Sequence, residues 1–535
     1  MPNMTERALS SDTRARARLH ERLSLRLPLQ GIALRISSHG GVLNAVLVCG
    51  AAAYVAAFAV TGAARAIYPY TIDGLEPGAL QQVRRILSGQ PLYVPPQLEY
   101  VPMIYGPLYY YVAAGVGALS GSALMGIRLV SLLASLGSAG LIALLVRRET
   151  AQLAPGLVGA GMLLACGPRL DLTMDTGRVD ALSLFLLLGS ICAARMATLE
   201  PTATWRWSVL SGALMGLALL TKQTGVVVAL AVLLIFTLNG VHRLAGYVLP
   251  LGLVLGGGTS LLTLQSGQWP PFYLWQLPRG HEIRPELLTR FWSDLDSRFM
   301  LPVVVGPFYL FGRALAGDWR RVVFYTLITL ALVGMAWVSN AVLGSGRNVQ
   351  VTGYAAFALL FALGLHEALT RIRGFAEAAS VRRYVLCAAI VQLAVMVYNP
   401  RLVVPYRSDL WAGQRLAATL AALPGPIFAP SYQSYLADPT AVSPDPDAIT
   451  EVTGSTSGGG GTPEGVKNWD AQFSEALQAG RFTYIIVDPD IAAAVVTELA
   501  TAYGYKDVGP LFPPGDIYWA WRTTWAPRAE VYARP

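Results

Sequence analysis

Charge is what this sequence has least of. Only 13% of its 535 residues are Asp, Glu, Lys or Arg, against about 25% in soluble domains. That scarcity excludes a string of soluble domains. Cysteine is rarer still. The four present, Cys49, Cys166, Cys192 and Cys387, each lie inside an apolar stretch. A disulfide framework in a water-exposed region is therefore excluded, and no cysteine spacing suits zinc. There is no Gly-rich phosphate loop, no Ser–His–Asp set, no His/Cys metal cluster and no internal repeat.

What is present is apolar. Hydrophobic residues make up 54% of the chain, and the mean hydropathy is +0.47. Apolar runs recur from about Gly41 to Asn399. A span needs about 20 such residues. Lipid offers the backbone no partner, so the spans must be helices, and the Leu/Ala/Val runs lack the alternation of barrel strands. The formal charge of +8 is a topology signal rather than a nucleic-acid footprint, because it gathers in the N-terminal tail and in short loops.

Threading the chain divides it into a basic cytoplasmic tail (1–41), a transmembrane unit (42–399) with a first outer loop (64–125), and an α/β unit outside the membrane (400–535). The basic leader is long for a signal peptide, so the run after it reads as an uncleaved anchor; the small residues Ala63-Ala64-Arg65-Ala66 leave cleavage as the alternative. Eleven spans are expected, at 42–63, 126–146, 154–168, 180–197, 206–221, 225–239, 244–264, 301–315, 322–343, 351–369 and 384–398. The apolar segment 107–121 is short and reads as interfacial or partly re-entrant. That choice puts Arg147/Arg148, Arg320/Arg321 and the arginines of 371–383 all inside, as the positive-inside rule requires. In the outer loop 265–300, Trp269, Phe272, Tyr273 and Trp275 read as an interface anchor. In the last unit, strands are expected at 426–431 and 483–487, helices at 470–479 and 491–503, and a glycine-rich loop at 454–462.

The charges at the outer span ends differ from those inside: they are mixed. Asp73 and Glu76 lie three apart beyond the first span, at the start of a helix whose Leu80, Val83, Ile86 and Leu87 share one face. A carboxylate there can take a proton from an attacking hydroxyl; a capping Asp with a first-turn Glu is the structural alternative. Arg178 stands between Asp175 and Asp180 at the mouth of a span, either as a functional cation or as part of a self-satisfied Asp–Arg–Asp cluster. Arg128 opens another span. Lys222 and Gln223 form a hairpin tip, Arg347-Asn348 lies beside a further span, and Arg279 and His281 belong to the long outer loop. Four cations at outer span ends, Arg128, Arg178, Lys222 and Arg347, suit a lipid phosphate that must be bound and stabilised as it leaves.

The sequence resembles the GT-C superfamily of glycosyltransferases, in its protein O-mannosyltransferase and aminoarabinose-transferase-like branch. The matching residues are Ile72-Asp73-Gly74-Leu75-Glu76, Gly89-Gln90-Pro91-Leu92-Tyr93, Tyr105-Gly106-Pro107-Leu108-Tyr109-Tyr110-Tyr111 and Arg128-Leu129-Val130-Ser131, with 175–182 and 220–224 like signatures of bacterial relatives. The resemblance covers about 70–400. The chain departs from the common Asp-Glu pair, because Gly74 follows Asp73 and Glu76 comes two later; the usual Pro-Pro is Gly106-Pro107.

The resemblance implies a multi-pass GT-C enzyme of a bacterial inner membrane. It would move a sugar from a polyprenyl-phosphate donor to a hydroxyl of a glycan, lipid or protein outside the membrane, by inversion. Asp73 would be the base, with Glu76 catalytic or structural. Arg128, Arg178, Lys222 and Arg347 would hold the phosphate. Asp175, Asp180, Gln223, Arg279, His281, Asn348 and Tyr105 would line the substrate site. A divalent cation near the acids is a further implication of some relatives. A transporter or flippase of lipid-linked sugars and a non-enzymatic scaffold are the alternatives; a transporter would need broken or charged helices at mid-membrane.

Overall fold

The computed structural model describes residues 39–199, 204–295, 297–342, 344–372, 378–436, 443–453, 467–488, 494–513, 515–516, 518 and 529–534. The basic tail and the glycine-rich loop expected from the sequence lie outside these residues.

The helices are α1 (His39–Ala66), α2 (Glu76–Leu87), α3 (Leu108–Ser120), α4 (Ala123–Thr150), α5 (Leu153–Ala165), α6 (Val179–Leu199), α7 (Thr204–Thr221), α8 (Val226–Leu238) and α9 (Val241–Ser266). They continue as α10 (Pro285–Asp294), α11 (Met300–Val305), α12 (Pro307–Leu315), α13 (Trp319–Asn340), α14 (Val351–Arg371), α15 (Ala378–Ala394), α16 (Arg407–Ala422), α17 (Pro446–Thr453), α18 (Trp469–Gln478) and α19 (Ala494–Ala502). Among the described residues, seven helical segments are long and apolar enough to cross a membrane: Gly41–Ala66, Ala123–Thr150, Leu153–Leu170, Val179–Leu199, Val241–Ser266, Trp319–Asn340 and Arg347–Arg371. The chain is a multi-pass membrane protein. The other four expected spans are also helical, but α7, α8, α11–α12 and α15 are shorter or less apolar.

Small residues let these helices touch backbone to backbone, the usual device where lipid supplies no hydrophobic drive between helices. A Cβ at Gly161 of α5 would stand 2.5 Å from the Ala51 carbonyl oxygen of α1, and one at Gly212 of α7 would stand 2.1 Å from that of Tyr247 on α9. The outer face of α9 keeps Leu253 and Leu264 at 76% and 86% exposure, an apolar surface suited to lipid.

Helix α4 sets the long dimension. Its start is capped by the Ser122 hydroxyl, which accepts from the Met125 N–H at 3.2 Å. Its 28 residues give about 42 Å. Helix α3 has 13 residues and ends at Gly121, whose φ is 72°; at about 20 Å it is too short to span. It folds back on the first third of α4, where the Tyr109 hydroxyl donates to the Ile127 carbonyl at 2.7 Å. The far end of α4 carries an ionic knot. Glu149, 1% exposed, accepts from Arg195 at the end of α6 and from Arg321 at the start of α13, each at 2.6 Å. It also accepts from the hydroxyls of Tyr325 and Tyr309 at 3.0 and 3.2 Å. The knot ties four helices together at the end opposite Arg128.

Beyond α15 the chain builds a four-stranded sheet from β1 (Ile427–Phe428), β2 (Tyr484–Val487), β3 (Lys506–Pro510) and β4 (Glu530–Ala533), in the order β1-β2-β4-β3. The first pair is parallel, with Ile427 opposite Tyr484, and the other two are antiparallel. The two expected strands and α18 are where the sequence places them, and α19 covers 494–502 of the second expected helix. Strands β3 and β4 and helices α16 and α17 are additions. Trp469, Phe473 and Phe428 pack together under this sheet, with Trp469 and Phe473 stacked at 4.9 Å.

One expectation fails. Trp269, Phe272 and Tyr273 are not a membrane anchor. They are 8%, 1% and 0% exposed, and Tyr273 stacks on Tyr93 at 6.2 Å. A π-helical turn over Phe272–Gln276 rolls these rings inward against the first loop. Trp275 alone of the four faces out, at 57% exposure, with the Arg279 guanidinium 4.4 Å above its ring.

Candidate active site

The site forms at the end of the bundle where α4 and α6 begin. The loop 67–75 enters between these helices and carries its two acids to two different arginines. Asp73 is fully buried. Both its oxygens accept from Arg178, whose Nε and Nη2 donate at 2.9 Å each. Asp73 also accepts from the Leu75 N–H at 3.0 Å, a tight turn that leads into α2. Glu76 turns the other way. It accepts from Arg128 Nε at 2.8 Å and Nη2 at 2.7 Å, from the Ile72 N–H at 2.8 Å and from the Gly177 N–H at 3.2 Å.

Arg128 is saturated. Besides Glu76 it donates to the carbonyls of Arg65 (3.0 Å), Tyr68 (2.5 Å) and Tyr70 (2.6 Å). A guanidinium has five N–H groups, and five bonds are made. With both partners at 0% exposure, Arg128 pins the first loop to α4 and presents no free donor to a phosphate.

The remaining predicted residues divide in two. Around a small cleft stand Leu75, Ala79, Met103, Tyr105, Tyr110, Gly177, Arg178, Val179 and Asp180. Lys222 reaches Asp180 Oδ1 at 2.6 Å, the Asn348 amide donates to Asp180 Oδ2 at 2.9 Å, and the Tyr105 ring lies 5.7 Å from the Lys222 ammonium. Gln223 supports the floor, donating to the carbonyls of Ile104 and Leu274 at 2.8 and 3.1 Å. Asp73, Arg178, Asp180, Lys222, Asn348 and Tyr105 are thus brought together, and Asp73 and Lys222 lie on one side of the bundle. Asp175 is drawn off by Arg65 at 2.8 Å into a neighbouring cleft that also includes Tyr398. Arg347 sits outside, about half exposed, 3.4 Å from Asp171. His281 pairs with Glu451 of α17 at 2.8 Å, and that bond raises its pKa.

Burial pushes the Arg178 guanidinium down, but Asp73, by charge and hydrogen bond, and then Asp180 push it up by more. The cation is held by its acids. The residues do not fit a divalent metal: each first-loop acid already carries an arginine, and among the described residues no three His, Cys, Asp or Glu side chains converge on a point.

Residues 102–258 match the family described as dolichyl-phosphate-mannose-protein mannosyltransferase. No curated protein matches the chain. Among solved structures, ArnT from Cupriavidus metallidurans bound to undecaprenyl phosphate superposes with a TM-score of 0.56 at 16% identity, over 91% of this chain and 97% of that one. The oligosaccharyltransferase of Archaeoglobus fulgidus gives 0.52 at 12% identity, over 85% and 71%. The same archaeal enzyme with an inhibitory peptide and a dolichol-phosphate gives 0.50 at 11%, over 86% and 73%. The chain has the GT-C fold.

In this chain the sequence reading overlooked one group of residues. Helix α17 lies between the first loop and His281. Asp445, just before it, is fully buried; its Cγ would stand 2.9 Å from a Cβ at Gly78 of α2. Asp445 Oδ1 accepts from the Asp447 N–H at 3.0 Å. Burial, then the charge of Asp447, holds its pKa well above the ordinary carboxylate range. The only sequence signal is the run Ser443-Pro444-Asp445-Pro446-Asp447, with Pro at the first turn of a helix and Asp just before it.

The raised pKa fixes a sign. The folded chain keeps a proton on Asp445 that the unfolded chain releases above about pH 4. Stability therefore falls as pH rises from there through the folded pKa. Asp445→Asn, neutral at every pH, is expected to raise the thermal midpoint at pH 8 by a few degrees and to flatten its decline above pH 5. A midpoint at pH 8 equal to or below wild type would mean that the ionised carboxyl costs nothing there.

Proposed function

We propose that this protein is an inverting glycosyltransferase of the extracytoplasmic membrane surface, using a polyprenyl-phosphate sugar as donor. The observation that carries this reading is the pair Arg178 and Lys222. Arg178 and Asp180 line one small cleft at the end of the bundle, Asp73 holds Arg178, and Lys222 stands behind Asp180 at 2.6 Å.

The donor phosphate would compete with Asp73 for Arg178 and with Asp180 for Lys222. Those hydrogen bonds strengthen as negative charge grows on the departing phosphate, which lowers the barrier. Asp73 either takes the acceptor's proton or holds Arg178 in line for the phosphate. Tyr105 and Asn348 shape the sugar's side of the cleft. Arg128 and Glu76 are the frame that fixes the first loop. The undecaprenyl phosphate in the ArnT complex and the dolichol-phosphate in the oligosaccharyltransferase complex support a lipid-phosphate donor in this fold. The arginines of 147–148 and 320–321 lie at the opposite end of the bundle, which supports a cytoplasmic N-terminus and an outer 400–535 unit in a bacterial inner membrane.

The test is transfer of label from polyprenyl-phosphate sugars, with water as the default acceptor, alongside affinity for undecaprenyl phosphate. Lys222→Ala is paired with Lys222→Ala/Asp180→Asn, so that no uncompensated acid remains. Both are expected to lose affinity about 10- to 100-fold, the scale of one charged hydrogen bond. Unchanged affinity in the double variant removes Lys222 from the phosphate site.

A further inference from the structure

The first loop is held from two sides. From the bundle, Arg128 takes the carbonyls of Tyr68 and Tyr70, and Arg178 takes the carboxylate of Asp73. The other side belongs to the unit that follows α15. The Tyr70 ring stacks on Tyr435, with centroids 4.7 Å apart and planes 5° from parallel. The same ring lies against α16, where a Cβ at Gly413 would stand 2.5 Å from its Cδ2. The Tyr68 hydroxyl donates to the Asp409 carbonyl of α16 at 3.0 Å. The Ser434 hydroxyl accepts from the Thr71 N–H at 3.2 Å and pairs with the Thr71 hydroxyl at 3.0 Å.

These grips end two residues before Asp73. Ile72, between them, is 1% exposed and its N–H is bonded to Glu76, so little freedom is left there to absorb a shift. The gripping surface is itself fixed. Tyr435 ends the short helical turn Pro430–Tyr435 that follows β1. It is 3% exposed and belongs to one apolar cluster with Leu416 and Leu420 of α16 and Ile486 of β2. The lysine half of the cleft draws instead on bundle residues, Asp180, Lys222 and Asn348.

We infer that Tyr435 and Ser434 are positioning residues: through Tyr70 and Thr71 they set where Asp73 stands, and so how it holds Arg178. The C-terminal unit is then a working part of the active site. The inference deepens the proposed glycosyl transfer and rests on it. A displacement of about 1 Å at a reacting centre costs about 10²-fold in rate. Loss of the grip should therefore reproduce the Asp73→Asn phenotype in milder form: slower turnover, with Arg178 and Lys222 still present to bind phosphate.

The experiment uses the full chain in lipid nanodiscs, with polyprenyl-phosphate mannose and a panel of polyprenyl-phosphate pentoses and aminosugars. Tyr435→Ala is expected to lower kcat about 10- to 100-fold. Tyr435→Phe should stay within about threefold of wild type, because the stacked ring remains. Ser434→Ala removes one oxygen and leaves the packing, and should lower kcat about three- to tenfold. Undecaprenyl phosphate affinity should stay equal or tighten in all three. In the Asp73→Asn background neither alanine substitution should cost more than about a further twofold, because the group it positions is already disabled. Losses that multiply in the double variants, or phosphate binding that weakens along with the thermal midpoint, would make these residues ordinary packing and overturn the inference. Wild-type turnover in both single alanine variants overturns it as well, and each of these results leaves the transferase reading standing. If Tyr435→Ala does not fold, Ser434→Ala carries the same comparison. A wild-type protein that neither binds undecaprenyl phosphate nor releases any labelled sugar sinks the reading beneath it, and the inference with it.

Discussion

Asp73→Asn is expected to lower transfer by about 10²- to 10³-fold, the scale seen when a preorganised electrostatic contact is removed from a reacting centre. The reason lies in Arg178 more than in Asp73. In the resting protein the guanidinium is clamped at two points by one carboxylate. Asparagine keeps the shape but loses the charge and one acceptor oxygen, so Arg178 is no longer held in a fixed direction. It then swings toward Asp180, the other anion whose charge acts on it. The affinity for undecaprenyl phosphate should move the other way from that of the Lys222 variants. Released from Asp73, Arg178 is a better ligand for a static phosphate, so binding stays equal or tightens while turnover collapses. The fold should survive, because Arg178 is 14% exposed at the cleft and water can solvate it. Full turnover in Asp73→Asn would take Asp73 out of the chemistry altogether.

The spans were legible because apolar runs of helix length are rare by chance, and seven of the eleven expected spans coincide with helices long and apolar enough to cross a membrane. The first-loop acids stood out because so few charges interrupt the apolar background. Their partners did not stand out. Asp73 meets Arg178 105 residues later and Glu76 meets Arg128 52 residues later, and nothing local to either acid says which arginine it takes. Arg128 and Arg178 look alike in sequence, each at the start of a span, yet one is sealed among carbonyls and the other borders a cleft. The difference is made by the loop 67–75, whose carbonyls at 68 and 70 converge on Arg128. The aromatic turn at 269–275 misled for a related reason: rings at an interface and rings packed against a loop have the same composition. Asp445 was invisible because α17 gains its place only when Gly78 lets that residue approach the first loop.

That contrast between the two arginines gives the largest expected effect on stability. Arg128→Ala removes all five bonds of a cation whose side chain and whose partner Glu76 are both 0% exposed. Glu76 would keep only the N–H groups of Ile72 and Gly177, and the carbonyls of Arg65, Tyr68 and Tyr70 would lose a donor each. Breaking a buried pair from one side costs about 3–5 kcal/mol, enough to free the first loop from α4. Lysine should do little better, since one ammonium cannot reach acceptors that a planar guanidinium spans. Arg128→Met/Glu76→Leu should recover part of the loss, because no charge is then left buried. The checks are the thermal midpoint and protease cleavage within 65–78, measured beside undecaprenyl phosphate affinity. A frame residue predicts a lower midpoint and new cleavage, with activity lost as a consequence. A phosphate ligand predicts an intact loop and weaker lipid binding alone, and that outcome would return Arg128 to the donor site.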